Sequence, residues 1–273
     1  MSTFWQRLLS GIAYIGLVIA SILVHPIFFG VLFVLVTMLA VREYHHLVGS
    51  TRLTTIGASL AGGLLFAILW CFFQVETINI ASLACMQSVY AVVVVLLLLA
   101  ELWLKQADPV RNWGNILISQ VMIAFPFACM NLILDSSKYL LLALFITIWV
   151  NDTAAYCVGC LTAKRKNGNH KMFPRVSPKK SWEGLIGGFV FSLLTGYILY
   201  LVGWIESLPK ALVFTAVIAV AGTLGDLMES LLKRTIGVKD SGRFMPGHGG
   251  VLDRFDSILL ATPAVALLLI IFG

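Results

Sequence analysis

A charged, glycine-rich segment, residues 230–256, lies between two long apolar runs of the chain. It reads SLLKRTIGVKDSGRFMPGHGGVLDRFD and holds five cations, three aspartates and one histidine. Ionisable side chains at or near the depth of a bilayer cost several kcal/mol each unless they are paired, hydrated or bound to a metal. The segment therefore predicts a functional site.

Carboxylates in the C-terminal half could hold a cation. Asp253 and Asp256 stand at i and i+3, and we expect both at the start of the last helix, on one face. Two carboxylates on one face suit Mg²⁺, which prefers hard oxygen ligands. The helix dipole favours an acidic residue at a helix start without any metal, but this does not explain Asp226 or Asp152 on earlier helices. For Asp152, a hydrogen-bonded aspartate that stabilises the helix bundle is the alternative.

Phosphate-binding groups accompany these carboxylates. Asp226, Ser230 and Lys233 fall at i, i+4 and i+7, so one helical face carries a carboxylate, a hydroxyl and an ammonium. Such a stripe suits a metal and a phosphate side by side. Further along, Gly249 and Gly250 leave their backbone amides open to an anion. The residue before them, His248, is either a phosphate donor or a structural loop residue.

A basic loop over residues 164–184 adds further donors. Residues 176–184 read VSPKKSWEG, in which hydroxyls, paired lysines and a turn proline precede a helix start. This arrangement can present donors to a phosphate, and the candidate contacts are Ser177, Lys179 and Lys180. For the cations at 164–166, anchoring at the cytosolic membrane surface is the preferred interpretation.

These groups must be positioned by membrane helices. The chain has 273 residues, of which 59% are hydrophobic and only 12% charged, and its mean hydropathy is +0.95. Such a composition predicts an all-α, polytopic integral membrane protein. Runs long enough to cross the hydrocarbon core indicate about nine transmembrane helices, near residues 8–24, 27–41, 56–73, 80–100, 115–134, 139–160, 185–204, 209–229 and 252–272.

Charge placement predicts the orientation. With a cytosolic N-terminus, all but two of the nineteen Lys and Arg residues fall in cytosolic segments, the exceptions being Lys138 and Lys210. The net charge of +6 then fits an anionic leaflet or an anionic substrate, and no nucleic acid partner is required. We expect one membrane domain, with residues 1–114 packing or dimerising and residues 115–273 forming the catalytic helices.

The cysteines add little. Cys157 and Cys160 form a CxxC on one predicted helix, but no second cysteine pair or nearby histidine completes a zinc set. We interpret them as small hydrophobic residues.

The polar pattern resembles a known signature. The segment combines SxxKR, KD, HGG and DRxD at fixed spacing, and it is similar to the signature of phosphatidate cytidylyltransferases, also called CDP-diacylglycerol synthases. Upstream, SPKKSWEG resembles an SPKKTWEG-type element and NDTAAYCVG an aspartate-containing element of the sixth span. The resemblance covers about residues 145–257. Met245 and Ser181 are conservative departures, and Asn151 stands where many relatives have a small residue.

The resemblance implies a reaction in which CTP and phosphatidate give CDP-diacylglycerol and pyrophosphate, with Mg²⁺ alone or with a second cation. It implies that Asp152, Asp226, Asp253 and Asp256 hold metal, the last three being catalytic together with Lys233. The substrate-binding residues that it implies are Ser177, Lys179, Lys180, Ser230, Arg234, Lys239, His248, Gly249, Gly250 and Arg254. A homodimer and a site on the cytosolic side of a bacterial cytoplasmic membrane are further expectations.

Two alternatives stay open from the residues. A transporter of cations or phosphorylated metabolites could also place aspartates and glycines in helices, although the charges here collect at predicted cytosolic ends and no half-repeat is visible. A CTP-dependent enzyme acting on another lipid, such as an isoprenoid-ether phosphatidate or a polyprenol, is the nearer rival.

Overall fold

The chain folds almost entirely into helices. The computed structural model describes residues 3–104, 107–164, 168–242 and 249–272, with the side chains of residues 3–8 left aside. In the first half, the helices are α1 (Thr3–Val24), α2 (Pro26–Leu47), α3 (Arg52–Gln74), α4 (Ile80–Leu104), α5 (Pro109–Ser119) and α6 (Phe125–Ser136), with a π-helical turn, Gln120–Ala124, before α6. In the second half, the elements are α7 (Lys138–Ala163), β1 (Lys171–Phe173), β2 (Ser177–Ser181), α8 (Trp182–Leu201), α9 (Leu208–Ile236), a 3-10 turn, Leu252–Arg254, and α10 (Ile258–Phe272).

Each of the nine predicted spans overlaps a helix, but α8 ends at Leu201 and α10 begins only at Ile258. Within the described residues, seven helical stretches are long and apolar enough to cross a membrane, namely α2, α3, α4, the combined stretch Pro109–Ser136, α7, α8 and α9. The apolar stretches Leu9–Val24 and Ile258–Phe272 are shorter. The polytopic membrane architecture is therefore confirmed, whereas the number nine and the cytosolic N-terminus stay predictions.

Side-chain caps set several helix starts. Thr51, Ser137 and Ser181 precede α3, α7 and α8, and each hydroxyl accepts a hydrogen bond from a backbone N–H in the first turn. Such caps satisfy donors that have no partner inside the helix. At the other end of α9, Gly237 adopts φ 82°, the left-handed conformation that ends many helices.

Two compact units make up the chain. One comprises Met1–Asp135 with Asp240–Phe255, and the other comprises Ser136–Lys239 with Asp256–Gly273. We refer to them as unit 1 and unit 2. The predicted division at residue 114 stays a prediction.

Unit 1 has an aromatic core on α2, α3 and α6. Phe33 stands within 6.4 Å, centroid to centroid, of Phe66 and of Phe127. Phe255, at the end of the signature segment, packs edge-on against Phe33 at 5.9 Å and against Phe127 at 5.4 Å. The C-terminal part of the signature is thus anchored in the core of unit 1.

Unit 2 is held together by close helix contacts at glycines. A Cβ atom added at Gly188 of α8 would lie 2.7 Å from Asn151 Oδ1 of α7. One added at Gly225 of α9 would lie 2.8 Å from the carbonyl oxygen of Asp256. Small residues allow such close approach of helices in membranes, so glycine at these positions sets how near α8 comes to α7 and how near α9 comes to the chain before α10.

A short hairpin between α7 and α8 is the main departure from the all-α prediction. β1 and β2 pair antiparallel, with Lys171 opposite Ser181 and Phe173 opposite Ser177. β2 contacts α7, α8 and α9. The hairpin places the lysines of β2 beside these helices, and Lys180 Nζ lies 3.5 Å from the Thr223 carbonyl oxygen within α9.

Candidate active site

An ion pair joins the strand β2 to the helix α9 in unit 2. Lys180 lies in β2, and its Nζ is 2.7 Å from Asp226 Oδ2 on α9. On the same helix, Ser230 Oγ donates to Asp226 Oδ1 at 3.1 Å. Asp226 and Ser230 therefore lie on one face of α9, as predicted. Lys180 contacts Asp226 from the hairpin.

Further carboxylates surround Asp226. Asp152, on α7, is exposed, and Asn151 Nδ2 donates to its Oδ1 at 3.3 Å. Asp256 is half-buried just before α10. Desolvation and the neighbouring charges of Asp226, Glu229 and Asp152 raise the pKa of Asp256 well above the ordinary carboxyl range. Three of the four predicted aspartates are thus close enough in unit 2 to repel one another.

Glu229 is a site residue that the sequence reasoning missed. Its side chain is fully buried, and a carboxylate oxygen forms an i, i+4 ion pair with Lys233 Nζ. A buried acid on the same helix therefore neutralises part of the positive charge of Lys233, which we predict to bind phosphate. Glu229 and Lys233 are four residues apart, which is the spacing of an ion pair on a helix. This spacing was the signal in the sequence that could have identified Glu229.

The remaining predicted phosphate ligands of unit 2 have varied surroundings. Arg234 is exposed and donates from Nε to the Val176 carbonyl oxygen at 3.3 Å, which ties the end of α9 to the start of β2. Ser177 is half-buried, while Lys179 and Lys239 are exposed. Of these, Ser177 and Lys179 share β2 with Lys180.

The predicted pairing of Asp253 with Asp256 on one helical face is wrong. Asp253 lies in the 3-10 turn Leu252–Arg254 of unit 1, Asp256 belongs to unit 2, and α10 begins only at Ile258. Asp253 Oδ2 accepts hydrogen bonds from the backbone N–H groups of Ser241 at 2.8 Å and Gly250 at 2.7 Å. One oxygen of Asp253 is therefore used to hold the chain that precedes it.

Two glycines of the signature lie beside the carboxylate of Asp253. Gly249 adopts φ 83°, which L side chains rarely adopt, and a Cβ there would meet Asp253 Oδ2. Gly250 is buried and donates to Asp253. Arg254 is half-buried, and its Nε lacks a hydrogen-bond partner among the described residues. His248 lies outside the described residues.

Glu43, on α2, is a second missed carboxylate. It accepts hydrogen bonds from Ser241 Oγ and from the backbone N–H groups of Val251 and Leu252. An acid at the end of an apolar run was a signal, but its partners lie about 200 residues away in the chain.

The donor set of unit 2 fits a divalent cation in its chemistry. Asp152, Asp226 and Asp256 offer carboxylate oxygens, the ligands that Mg²⁺ prefers, and their mutual repulsion would be relieved by a cation. In the described part of the chain, no three His, Cys, Asp or Glu side chains already converge as metal ligands. Mg²⁺ is commonly bound by one or two carboxylates together with substrate phosphates, so this arrangement is compatible with a site completed by a nucleotide.

Comparison with known proteins decides the family. The model of the cytidylyltransferase family matches residues 5–272. The chain belongs to the cytidylyltransferase family. The match covers both units, so it includes the carboxylates of unit 2 and the glycine-rich part of unit 1.

Individual relatives carry a more specific name. The chain is similar to proteins named phosphatidate cytidylyltransferase from Staphylococcus haemolyticus and Staphylococcus aureus, each 44% identical over 137 residues. It is also similar to the protein of that name from Staphylococcus saprophyticus, at 43% identity over 137 residues. The chain spans about half the length of the curated relatives it matches, and the matched part is 50% of this chain.

Proposed function

We propose that this chain transfers the cytidylyl group of CTP to phosphatidate, which gives CDP-diacylglycerol and pyrophosphate for phospholipid synthesis. The family match and the name of the relatives support it. The observation that carries it is the ion pair between Lys180 and Asp226, beside Asp152 and Asp256. A cation beside several carboxylates is suited to a nucleotide with its metal and a lipid phosphate.

The reaction needs positioning more than a strong base. An oxygen of the lipid phosphate attacks the α-phosphorus of CTP, the bond from that phosphorus to the β-phosphate oxygen breaks, and pyrophosphate leaves. A phosphate monoester has a second pKa of about 6, so the attacking oxygen is already largely deprotonated near neutral pH. Most of the catalytic effect must then come from orientation and from neutralising phosphate charge.

Basic and hydroxyl groups of unit 2 would bind the phosphates. Lys180 is the central one, because its side chain extends from β2 to Asp226. Ser177 and Lys179 on the same strand, with Ser230 and Arg234 on α9, are the further donors that we propose. Lys233 is held on the buried side of α9 by its ion pair with Glu229, and we propose it as a further phosphate donor.

Asp226 and Asp256, with Asp152, would hold Mg²⁺, alone or with a second cation. A bound Mg²⁺ would supply Lewis-acid neutralisation of phosphate charge at these carboxylates. Asp226 shares its two oxygens between Lys180 and Ser230. Lys180, beside this carboxylate, would contact the nucleotide phosphates.

The other predicted contacts are Lys239, which belongs to unit 2, and residues of the glycine-rich part of the signature. Asp253 orders Ser241 and Gly250 through its Oδ2. Asp253 as a metal ligand, and Arg254, Lys239, His248, Gly249 and Gly250 as phosphate contacts, stay predictions. We also propose that the site faces the cytosol, where CTP is found, from a bacterial cytoplasmic membrane; a homodimer stays a prediction.

Turnover with a panel of acceptors tests the function. Purified protein in detergent receives CTP and Mg²⁺ with phosphatidate, an isoprenoid-ether phosphatidate, a polyprenyl phosphate or diacylglycerol. We expect pyrophosphate release and a CDP-lipid with phosphatidate, detected by mass spectrometry. Preferred use of another acceptor would replace the proposed substrate, and no CDP-lipid with any of them would refute the proposal.

A further inference from the structure

We propose that Glu43 is a positioning residue for the glycine-rich segment that precedes Asp253. The segment, called here the glycine segment, consists of residues 241–242 and 249–252. The inference rests on the proposed function, because the segment adjoins a predicted metal ligand. Glu43 itself lies on α2, in the part of the chain that the sequence assigns to packing.

Glu43 uses both carboxylate oxygens on this segment. Its Oε1 accepts from the Val251 N–H at 2.9 Å. Its Oε2 accepts from the Leu252 N–H at 2.9 Å and from Ser241 Oγ at 3.1 Å. Hydrogen bonds to a charged acceptor are shorter and stronger than neutral ones. Glu43 therefore holds both ends of the glycine segment, before and after residues 243–248.

Asp253 holds the same segment through other groups. It accepts from the backbone N–H groups of Ser241 and Gly250, while Glu43 accepts from the Ser241 hydroxyl and from the next two backbone N–H groups, those of Val251 and Leu252. Ser241 thus donates to both carboxylates, and the donors Gly250, Val251 and Leu252 follow one another in the chain. A shift of the segment relative to Glu43 would move donors away from Asp253 as well.

The glycines of the segment leave room for the Glu43 carboxylate. A Cβ at Gly242 would lie 2.7 Å from Glu43 Oε1, and one at Gly250 would meet Glu43 Oε2. Any side chain at either position would push the carboxylate out. The glycine-rich composition therefore has a steric reason in Glu43, in addition to any contact with an anion.

The helix that carries Glu43 is firmly packed. Its neighbours in α2 include the buried side chains of Tyr44 and Val41, and Tyr44 OH donates to Asn115 Oδ1 at 3.2 Å. A residue on a rigid element can fix a loop more closely than one on another loop. Glu43 thus transmits the position of α2 to the segment and, through it, to the carboxylate of Asp253.

Glu43→Gln is the test variant, because it keeps the shape and removes one acceptor. An amide offers one oxygen and one NH₂ group, so the NH₂ must face either Val251 N–H or the pair of donors from Leu252 and Ser241. Glu76→Gln makes the same chemical change at an exposed acid of unit 1 and is the matched control. Gel filtration in detergent confirms that each variant is folded and monodisperse.

Two readouts separate positioning from simple stability. In Glu43→Gln we expect kcat per folded molecule to fall about tenfold or more, with the KM for CTP within about threefold of wild type, because the substrate contacts remain. We also expect faster hydrogen exchange at the amides of Val251 and Leu252. Glu76→Gln should leave both readouts within about twofold of wild type.

The outcomes decide the inference and the function separately. Unchanged kcat in Glu43→Gln would overturn the role of Glu43, and so would unchanged exchange at Val251 and Leu252. If the wild-type protein makes no CDP-lipid, the proposed function fails, and the exchange measurement alone then decides whether Glu43 positions the segment.

Discussion

Lys180 Nζ lies 2.7 Å from Asp226 Oδ2, and this contact links the strand after the basic loop to the polar face of α9. The two side chains are 25% and 27% exposed. An ion pair with this exposure contributes about 1 kcal/mol or less to stability. The pair therefore adds little to folding, which agrees with the role in ligand binding that we propose for both groups.

Replacing Lys180 should reduce catalysis without loss of fold. We expect Lys180→Ala to lower kcat/KM about 10- to 100-fold, a loss of about 1.4 to 2.7 kcal/mol of transition-state stabilisation. Lys171→Ala, at an exposed lysine on β1, is the control and should stay within about twofold. Equal effects of the two substitutions would show that only the general charge of the hairpin matters.

Replacing Asp226 tests the proposed cation site. Asp226→Asn keeps the size of the side chain and removes its charge, so we expect kcat to fall about 100-fold or more and half-maximal activity to need more Mg²⁺. Asp135→Asn, at an exposed acid at the end of α6, should leave the Mg²⁺ titration unchanged. An unaltered titration curve in Asp226→Asn would remove Asp226 from the set of metal ligands.

Gly188 tests the close packing of α8 on α7. A Cβ there would lie 2.7 Å from Asn151 Oδ1 and 2.9 Å from the Asn151 carbonyl oxygen. We expect Gly188→Ala to cost about 1 to 3 kcal/mol of stability through overpacking, seen as a lower Tm in detergent. In Gly114→Ala, where the space is open, helix propensity should raise Tm. A Tm for Gly188→Ala at or above that of wild type would contradict the described contact.

Ser181 tests the junction between β2 and α8. Its Oγ accepts from the Gly184 N–H at 3.1 Å, and the residue is buried. Ser181→Ala should cost about 1 kcal/mol of stability, as loss of an N-cap usually does. Ser181→Thr keeps the hydroxyl and should remain close to wild type. If both variants melt like the wild type, the cap does not stabilise α8.

The sequence predicted well the features that depend on one regular helix. Asp226 and Ser230 share a face because α9 is uninterrupted from Leu208 to Ile236, and the helical repeat then fixes their direction. Asp152 lies on its predicted helix for the same reason. The apolar runs were long enough to be recognised without knowledge of their neighbours.

The features that were missed depend on contacts between distant residues or on where a helix starts. The sequence predicts a helix at Asp253 because the last predicted span begins at residue 252, yet the bonds of Asp253 to Ser241 and Gly250 belong to a turn. Glu43 has partners that only the folded chain brings near. The hairpin was unpredicted because SPKKS is polar and carries a proline, without the alternation that indicates a strand.

The central claim, transfer of a cytidylyl group to a lipid phosphate, is tested most directly by following the phosphorus atoms of CTP. The purified protein is incubated with phosphatidate, Mg²⁺ and CTP radiolabelled at either the α- or the γ-phosphorus, and the lipid is then extracted. The account predicts that α-label enters the lipid and that γ-label is released as pyrophosphate. Label from the γ-phosphorus in the lipid, or no label in the lipid from either position, would contradict it.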